Sequence, residues 1–285
     1  MILSFNPIYE GDRQIICAGR DPNERDLAAI RSARAVILPQ GCRWSLYRTV
    51  KENCPHFFPN YDARFAYSGK CRQVRLFRHF GVPHPPSLVF SDAAAFVKFR
   101  NTNKVHILPP YPFVFKFDWG GEGDFVYPIE SESQLNSLLD RARRFENTGQ
   151  SGFLIQAYIP GKPQTLRVVV IYKTVVAYWR THSSNRFYGN LSKGAEINRI
   201  SDPDLRQAGI EKVVELCQKT GINLAGFDLM FSMNKKGPRP LFLEINYFFG
   251  RQGLGGSEAY YELLTREIHR WIRDLDSSTV HDTKD

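Results

Sequence analysis

The chain is poor in the residues that mark metal and disulfide scaffolds. Its five cysteines, Cys17, Cys42, Cys54, Cys71 and Cys217, are spread over 285 residues without a C-x-x-C pair, which excludes a zinc ribbon and a disulfide framework. Long apolar runs are missing too. The longest candidate, 168–179, is interrupted by Lys173 and falls short of the roughly 18 residues a membrane span requires. The opening Met1-Ile-Leu-Ser-Phe-Asn-Pro7 has no signal-peptide pattern, so a cytoplasmic protein without a membrane partner is expected. Neither G-x-x-x-x-G-K-[ST] nor G-x-G-x-x-G occurs, which removes the P-loop and the dinucleotide fingerprint. The seven histidines show no metal-like spacing, and Cys42 reads as a buried small hydrophobe rather than a nucleophile.

Acidic residues are in deficit: 38 Lys and Arg stand against 29 Asp and Glu, for a net charge of +9. That balance favours anionic partners without choosing among nucleic acid, an anionic surface and phosphorylated or carboxylated small molecules. With 42% apolar and 24% charged residues the chain has the profile of a folded α/β protein. Helices are expected over about 22–32, 44–52, 70–80, 134–145, 203–220 and 257–274. Strands are expected over 2–5, 14–17, 35–38, 111–119, 153–159, 167–171, 175–180, 224–231 and 241–247. Asp21-Pro22 suggests an N-cap and a first-turn proline for the first helix. The prolines of 81–86 mark a segment boundary, and the polar end 277–285 reads as a frayed tail.

Four features call for partners. Lys116 lies inside Phe113-Val-Phe-Lys-Phe117, where its ammonium must either reach water or meet an anion. The following Asp118-Trp-Gly-Gly-Glu-Gly-Asp124 is a glycine-rich turn that either presents N–H groups to a phosphate or simply closes a hairpin. A two-residue turn at Lys173-Thr174 would set Arg167 directly opposite Arg180, an unfavourable pairing unless an anion lies between them or both splay into water. A hairpin centred near Lys236 sets Asp228 opposite Glu244, with Asn246 on the same face as Glu244. Two carboxylates and an amide oxygen in apolar strands suit a hard cation such as magnesium, shared with substrate phosphates, better than one shared proton or two separately solvated acids.

In this order, a strand lysine, a glycine loop, the strand end Gln156-Ala-Tyr-Ile159, two arginines and Asp228…Glu244-x-Asn246, the chain resembles the ATP-grasp superfamily, and within it the ribosomal-protein glutamate ligase branch. The resemblance covers about 67–256, and Gly226-Phe-Asp-Leu-Met230…Phe242-Leu-Glu-Ile-Asn246 followed by Gly250 carries most of it. It implies an ATP-grasp fold in which a small α/β domain (1–66) precedes two α+β subdomains (67–155 and 156–275) and a tail (276–285), with nucleotide held between the subdomains. It further implies that Lys70 and Lys116 contact ATP phosphates and that Gly120, Gly121 and Gly123 form a lid. Gln156, Ala157, Tyr158 and Ile159 would meet adenine. Asp228, Glu244 and Asn246 would hold two magnesium ions, with manganese as a substitute. Arg167, Arg180 and Asn190 would face the transferred phosphoryl group.

The implied activity is ATP-dependent ligation of a small-molecule or peptide carboxylate to an amine, or to a thiol, through an acyl-phosphate, on substrates that are themselves acidic. The first 66 residues, with Arg186, Lys193 and Arg251, would shape the substrate pocket, and His182 lies near the proposed site. Ala157 and Thr165 stand where many members of that branch carry acids, which motivates a second reading as an inactive nucleotide-binding scaffold. A third, a nucleic-acid-binding module, rests on the net charge and on Arg72-Gln-Val-Arg-Leu-Phe-Arg78, a stretch that reads more simply as an amphipathic helix with a solvated basic face.

Overall fold

A computed structural model describes residues 1–17, 19–102, 108–121, 123–181, 196–234 and 237–281. The N-terminal part is a parallel sheet in the order β2-β1-β3-β4, formed by β1 (Ile2–Ser4), β2 (Arg13–Gln14), β3 (Ala35–Ile37) and β4 (Phe57–Phe58). Helices α1 (Glu24–Ser32) and α2 (Trp44–Asn53) connect these strands. The first cap differs from expectation. Asn23, not Asp21, caps α1, its side chain accepting from the N–H groups of Arg25 and Asp26 while Asp26 reaches back to the Asn23 N–H at 2.8 Å. This reciprocal capping box satisfies more free donors than Asp21 could. Asp21 instead accepts from Ser45 Oγ at 2.5 Å.

Short α3 (Asp62–Ala66) leads into α4 (Lys70–His79) and an antiparallel sheet in the order β5-β8-β6-β7. Its strands are β5 (Ser87–Phe90), β6 (Phe113–Phe117), β7 (Val126–Ile129) and β8 (Phe153–Ala157). One face packs on α5 (Ala93–Thr102) and α6 (Glu132–Glu146) through a phenylalanine-rich core of Phe90, Phe96, Phe113, Phe115, Phe117 and Phe153. The opposite face carries Leu154, which packs with Cys71 and Val74 of α4. The side chain of Lys116 shares that face, because β strands alternate.

The third sheet runs β11-β10-β9-β12-β13, from β9 (Gln164–Ile171), β10 (Thr174–Thr181), β11 (Glu196–Asn198), β12 (Leu224–Asn234) and β13 (Gly237–Asn246). Helix α7 (Pro203–Thr220) covers one face and α8 (Ser257–His281) the other. The N-terminal sheet and this sheet share a core that joins Leu3, Val36 and Tyr47 to Val168, Phe227 and Ile245. The second sheet has a core of its own, and the division expected near 155 falls within β8.

The β9–β10 turn is Tyr172-Lys173, one residue earlier than expected, so Arg180 opposes Thr165 and Arg167 opposes Tyr178. Tertiary contacts fix this turn: the Tyr172 N–H donates to Asn223 O at 2.7 Å, the Tyr172 hydroxyl donates to Asp274 at 2.6 Å, and the Lys173 N–H donates to buried Glu267 at 3.2 Å. Moving the turn by one residue moves each partner by two, so both arginines keep the same sheet face.

Gly253, in the turn before α8, lies against the buried Tyr178 ring, and a Cβ there would come within 1.9 Å of Tyr178 Cζ. Gly253→Ala is expected to destabilise the protein by about 1–3 kcal/mol through overpacking, read as a drop in the midpoint of urea unfolding. An unchanged midpoint would show that the turn can move.

Candidate active site

The α8-covered face of the third sheet is apolar at one end, with Val169, Ile171 and Leu224, and charged at the other. Cross-strand pairing puts Tyr178, Arg167, Asp228 and Glu244 in one row over β10, β9, β12 and β13, while Asn246 opposes Gly226 one row away. Below Asp228 the register slips, Leu229 pairing with Phe242, so Leu243 is an extra residue on β13. Such a bulge twists a strand and re-aims the residue beside it.

Asp228 is the hub. Its Oδ1 accepts from Arg167 Nε at 2.5 Å and from Arg180 Nη2 at 2.6 Å, and its Oδ2 accepts from Arg167 Nη2 at 2.9 Å and from Asn246 Nδ2 at 3.0 Å. The like charges that an anion was expected to separate are thus drawn together by a carboxylate of the chain itself. Burial alone would raise the Asp228 carboxyl, but the two guanidinium groups outweigh it and hold the group below the usual carboxylate range. Arg180 also donates to Thr165 Oγ at 3.1 Å, and its Nε is a buried donor with no acceptor among the described residues.

Glu244 accepts no hydrogen bond and forms no ion pair among the described residues. Burial pushes its carboxyl up, and nearby Asp228 adds to that, against the opposing pull of Lys70 and Lys116. Lys116, half-buried on β6, faces Glu244 and Asp228. Its ammonium is pushed down to about 8, first by burial, with Lys70 acting in the same direction. A lysine lowered this way is charged below that pH and neutral above it. Were Lys116 a phosphate contact, as the resemblance implies, affinity for ADP would be flat with pH below about 8 and fall above it, by up to about tenfold per pH unit, while Lys116→Arg would flatten the profile. A profile flat to pH 10 in the wild type, read by calorimetry, would remove Lys116 from the phosphate site.

Lys70, at the first turn of α4, donates its ammonium to the carbonyls of Trp119 at 2.8 Å and Gly120 at 2.7 Å. It therefore anchors the glycine loop, and one of its three N–H donors remains for an anion. Asp118 completes the joint by accepting from the Cys71 N–H at 2.7 Å. Gly120 has φ 82° and lies where a Cβ would strike the Phe125 ring at 2.4 Å, so only glycine fits there. Gly123 also has positive φ, whereas Gly121 faces open space. The buried Trp119 indole N–H has no acceptor among the described residues.

On β8, the buried Gln156 amide donates to Ser87 Oγ at 2.9 Å and the Ala157 N–H donates to Pro86 O at 2.8 Å. These bonds tie β8 to β5, while Tyr158 is 43% exposed at the strand end next to Ile159. Asn190, Arg186, Lys193 and His182 lie outside the described residues. Cys42 is buried at the end of the N-terminal sheet, and that burial pushes its thiol up to about 12, which makes it inert at neutral pH.

One residue the sequence reading missed is Gln73. Its amide is bonded reciprocally to the backbone of Ile245, Nε2 to O at 2.8 Å and N to Oε1 at 2.9 Å, and so clamps α4 to β13 between Glu244 and Asn246. A single amide among the buried residues Cys71, Val74, Leu76 and Phe77 of α4 was the available signal.

Comparison with known proteins agrees with this arrangement. The family model for the RimK-like ATP-grasp domain matches residues 68–263. The chain belongs to that family. A Mycoplasma pneumoniae relative named as an uncharacterized MG012 homolog is 26% identical over 138 residues, covering 48% of this chain and 43% of its own length. The chain spans less than half the length of the curated relatives it matches. Among solved structures, the D-alanine–D-alanine ligase of Bacillus anthracis complexed with ATP aligns with a TM-score of 0.59 and 14% identity, over 93% of this chain and 87% of that one. A RimK-domain ATP-grasp protein of Sphaerobacter thermophilus aligns at 0.56 and 14%, over 93% and 98%. At such identities the likeness concerns the ATP-grasp fold. Within that fold, the second and third sheets of this ATP-grasp chain are the two layers facing each other across the lysine and carboxylate cluster.

The donor set meets magnesium's needs in part. Glu244 lacks donor partners among the described residues, and Asn246 spends its Nδ2 on Asp228 and keeps its carbonyl oxygen, so both suit a hard cation. Asp228 already accepts four hydrogen bonds and can join only when a guanidinium is exchanged. No group of three His, Cys, Asp or Glu gathers among the described residues, so a metal here would also draw ligands from phosphate and water.

Proposed function

We propose that this ATP-grasp protein is a magnesium-dependent ligase that joins a carboxylate to an amine through an acyl-phosphate. The observation that carries the reading is the convergence of Lys116, Arg180, Asp228 and Glu244 at one corner between two sheets, where cations and carboxylates stand ready around a position for phosphate. Lys116 and the remaining donor of Lys70 would bind nucleotide phosphates, and the loop through Gly120 and Gly123 would close over them, with the end of β8 and the residues that follow it, Gln156 to Ile159, beside the base. Glu244 and Asn246, joined by Asp228, would hold magnesium, which supplies charge neutralisation for phosphoryl oxygens.

Arg180, with its unpaired Nε, would take charge on the transferred phosphoryl group as a substrate carboxylate attacks it and ADP leaves. Arg167 keeps two bonds to Asp228 and acts by holding that carboxylate in place. An amine then displaces phosphate. The reacting groups are phosphate and carboxylate, so acidic small molecules or peptides are the partners that fit the charge. Asn190 is retained as a further phosphoryl contact.

The test is ATP turnover in a pool of carboxylates with hydroxylamine present, which converts an acyl-phosphate to a hydroxamate. Hydroxamate formation that requires magnesium, ATP and Glu244 is expected. Magnesium-dependent ATP binding with neither ADP release nor hydroxamate would favour the inactive scaffold, the reading suggested by Ala157 and Thr165.

A further inference from the structure

Helix α4 is wedged between the second and third sheets. Cys71 and Val74 pack with Leu154 of β8, while the Phe77 ring meets Phe242 of β13 with centroids 5.7 Å apart. The first turn of α4 serves the glycine loop, Lys70 donating to the carbonyls of Trp119 and Gly120 and the Cys71 N–H to Asp118. One turn later, buried Gln73 serves the other sheet. β13 is an edge strand, so the backbone groups on its outer side need partners from elsewhere. The Phe242 N–H donates to Pro83 O at 2.8 Å, and Ile245 finds both of its partners in the Gln73 amide, at 2.8 and 2.9 Å.

Closing a strand edge is a structural service, but the place where Gln73 closes it has a second consequence. The Ile245 N–H belongs to the peptide plane shared with Glu244, and the Ile245 carbonyl to the plane shared with Asn246. Gln73 therefore pins the two planes from which the Cα–Cβ directions of Glu244 and Asn246 follow. Glu244 has no hydrogen bond or ion pair of its own among the described residues, so the backbone rather than a side-chain partner sets its direction. Asn246 is steadied in addition by Asp228 at 3.0 Å. Groups outside a metal's ligand set orient the ligands, and their removal commonly costs about 10–100-fold in metal affinity.

We infer that Gln73 is a positioning residue for the cation: it holds the oxygens of Glu244 and Asn246 where one divalent ion can bridge them. Lying one turn after Lys70, it also fixes that pair relative to the glycine loop. The inference rests on the proposed function for the cation site itself. Gln73 acts through Glu244 and Asn246, so its effect falls on metal affinity and not on the affinity for nucleotide alone. A methionine in its place keeps the length of the side chain and the packing of α4, but leaves the Ile245 N–H and carbonyl without partners and the two planes free to turn.

Manganese is the probe, its free concentration read from the electron paramagnetic resonance signal in protein saturated with ADP, against a protein-free ADP control. Calorimetry gives the affinity for ADP without metal. Gln73→Met should weaken manganese binding about tenfold or more, with ADP alone held within about twofold. Ile30→Ala, which truncates a fully buried side chain in α1, should lower the unfolding midpoint and move neither affinity. Should Gln73→Met fail to fold by circular dichroism, Gln73→Glu carries the comparison with the same expected sign, since it keeps the oxygen that accepts from Ile245 and loses the donor. Manganese affinity within about twofold of wild type in the folded Gln73 variants, or an equal loss in Ile30→Ala, overturns the positioning role alone. No manganese binding by the ADP-saturated wild type would overturn the magnesium reading, and the role of Gln73 with it.

Discussion

Glu244→Ala is expected to abolish magnesium-dependent turnover while leaving the thermal midpoint unchanged or higher. The two effects share one cause. Glu244 is held among apolar strands beside Asp228 without a hydrogen-bond donor among the described residues, and its carboxyl is pushed up by burial. A carboxylate whose folded-state value lies above its unfolded value reduces stability at neutral pH, and that penalty disappears once the pH falls below the ordinary carboxylate range. Replacing it by alanine removes the penalty along with the cation ligand. Loss of a group that holds charge at a phosphoryl centre should lower turnover about a thousandfold, equivalent to about 4 kcal/mol. A melting curve beside an ADP-release assay checks both. Turnover retained in Glu244→Ala would remove the residue from the metal site, and a large fall in midpoint would mean that the carboxylate is a structural ligand.

Asp228→Ala, one strand away, should behave in the opposite manner. Asp228 accepts from both buried arginines and from Asn246, and its removal leaves two guanidinium groups facing each other without a counter-charge. Breaking a buried pair by deleting one member costs about 3–5 kcal/mol, enough to lower the midpoint steeply or prevent accumulation of folded protein. Because the folded-state value of Asp228 is depressed, its contribution is present above the unfolded carboxylate value and is lost as the pH falls through the folded one. Asp228→Asn, which still offers an amide oxygen, should recover part of the stability. Urea unfolding of the three proteins at neutral pH separates these outcomes, and equal stability of Asp228→Ala and wild type would contradict the hub.

The contrast between these two carboxylates shows what the sequence made legible. Their pairing across β12 and β13 was expected from a hairpin centred near Lys236; the ladder from Asn234 opposite Gly237 to Leu229 opposite Phe242 runs one residue off that register, and the bulge at Leu243 restores Asp228 opposite Glu244. The fold was legible through the order of lysine, glycine loop, arginines and acidic strands. The position of the β9–β10 turn was not, because it is set by Asn223, Glu267 and Asp274, residues 50 or more positions away in the chain. For the same reason neither an external anion nor splaying into water describes Arg167 and Arg180, which the chain's own Asp228 holds. Gln73 acts through the backbone carbonyl and amide of Ile245 in a distant strand, a contact for which a sequence carries no periodic signal. Asp21-Pro22 misled because local capping chemistry also ran through Asn23 and Asp26, and the reciprocal pair won.

The most direct test is a calorimetric titration of ATP, with and without magnesium, into the wild type and Glu244→Ala at fixed ionic strength. Binding strengthened by magnesium in the wild type and insensitive to it in the variant is the result predicted. Magnesium-dependent binding of equal strength in both proteins would contradict the assignment of Glu244, and with it the corner between the two sheets as the place where phosphate and carboxylate meet.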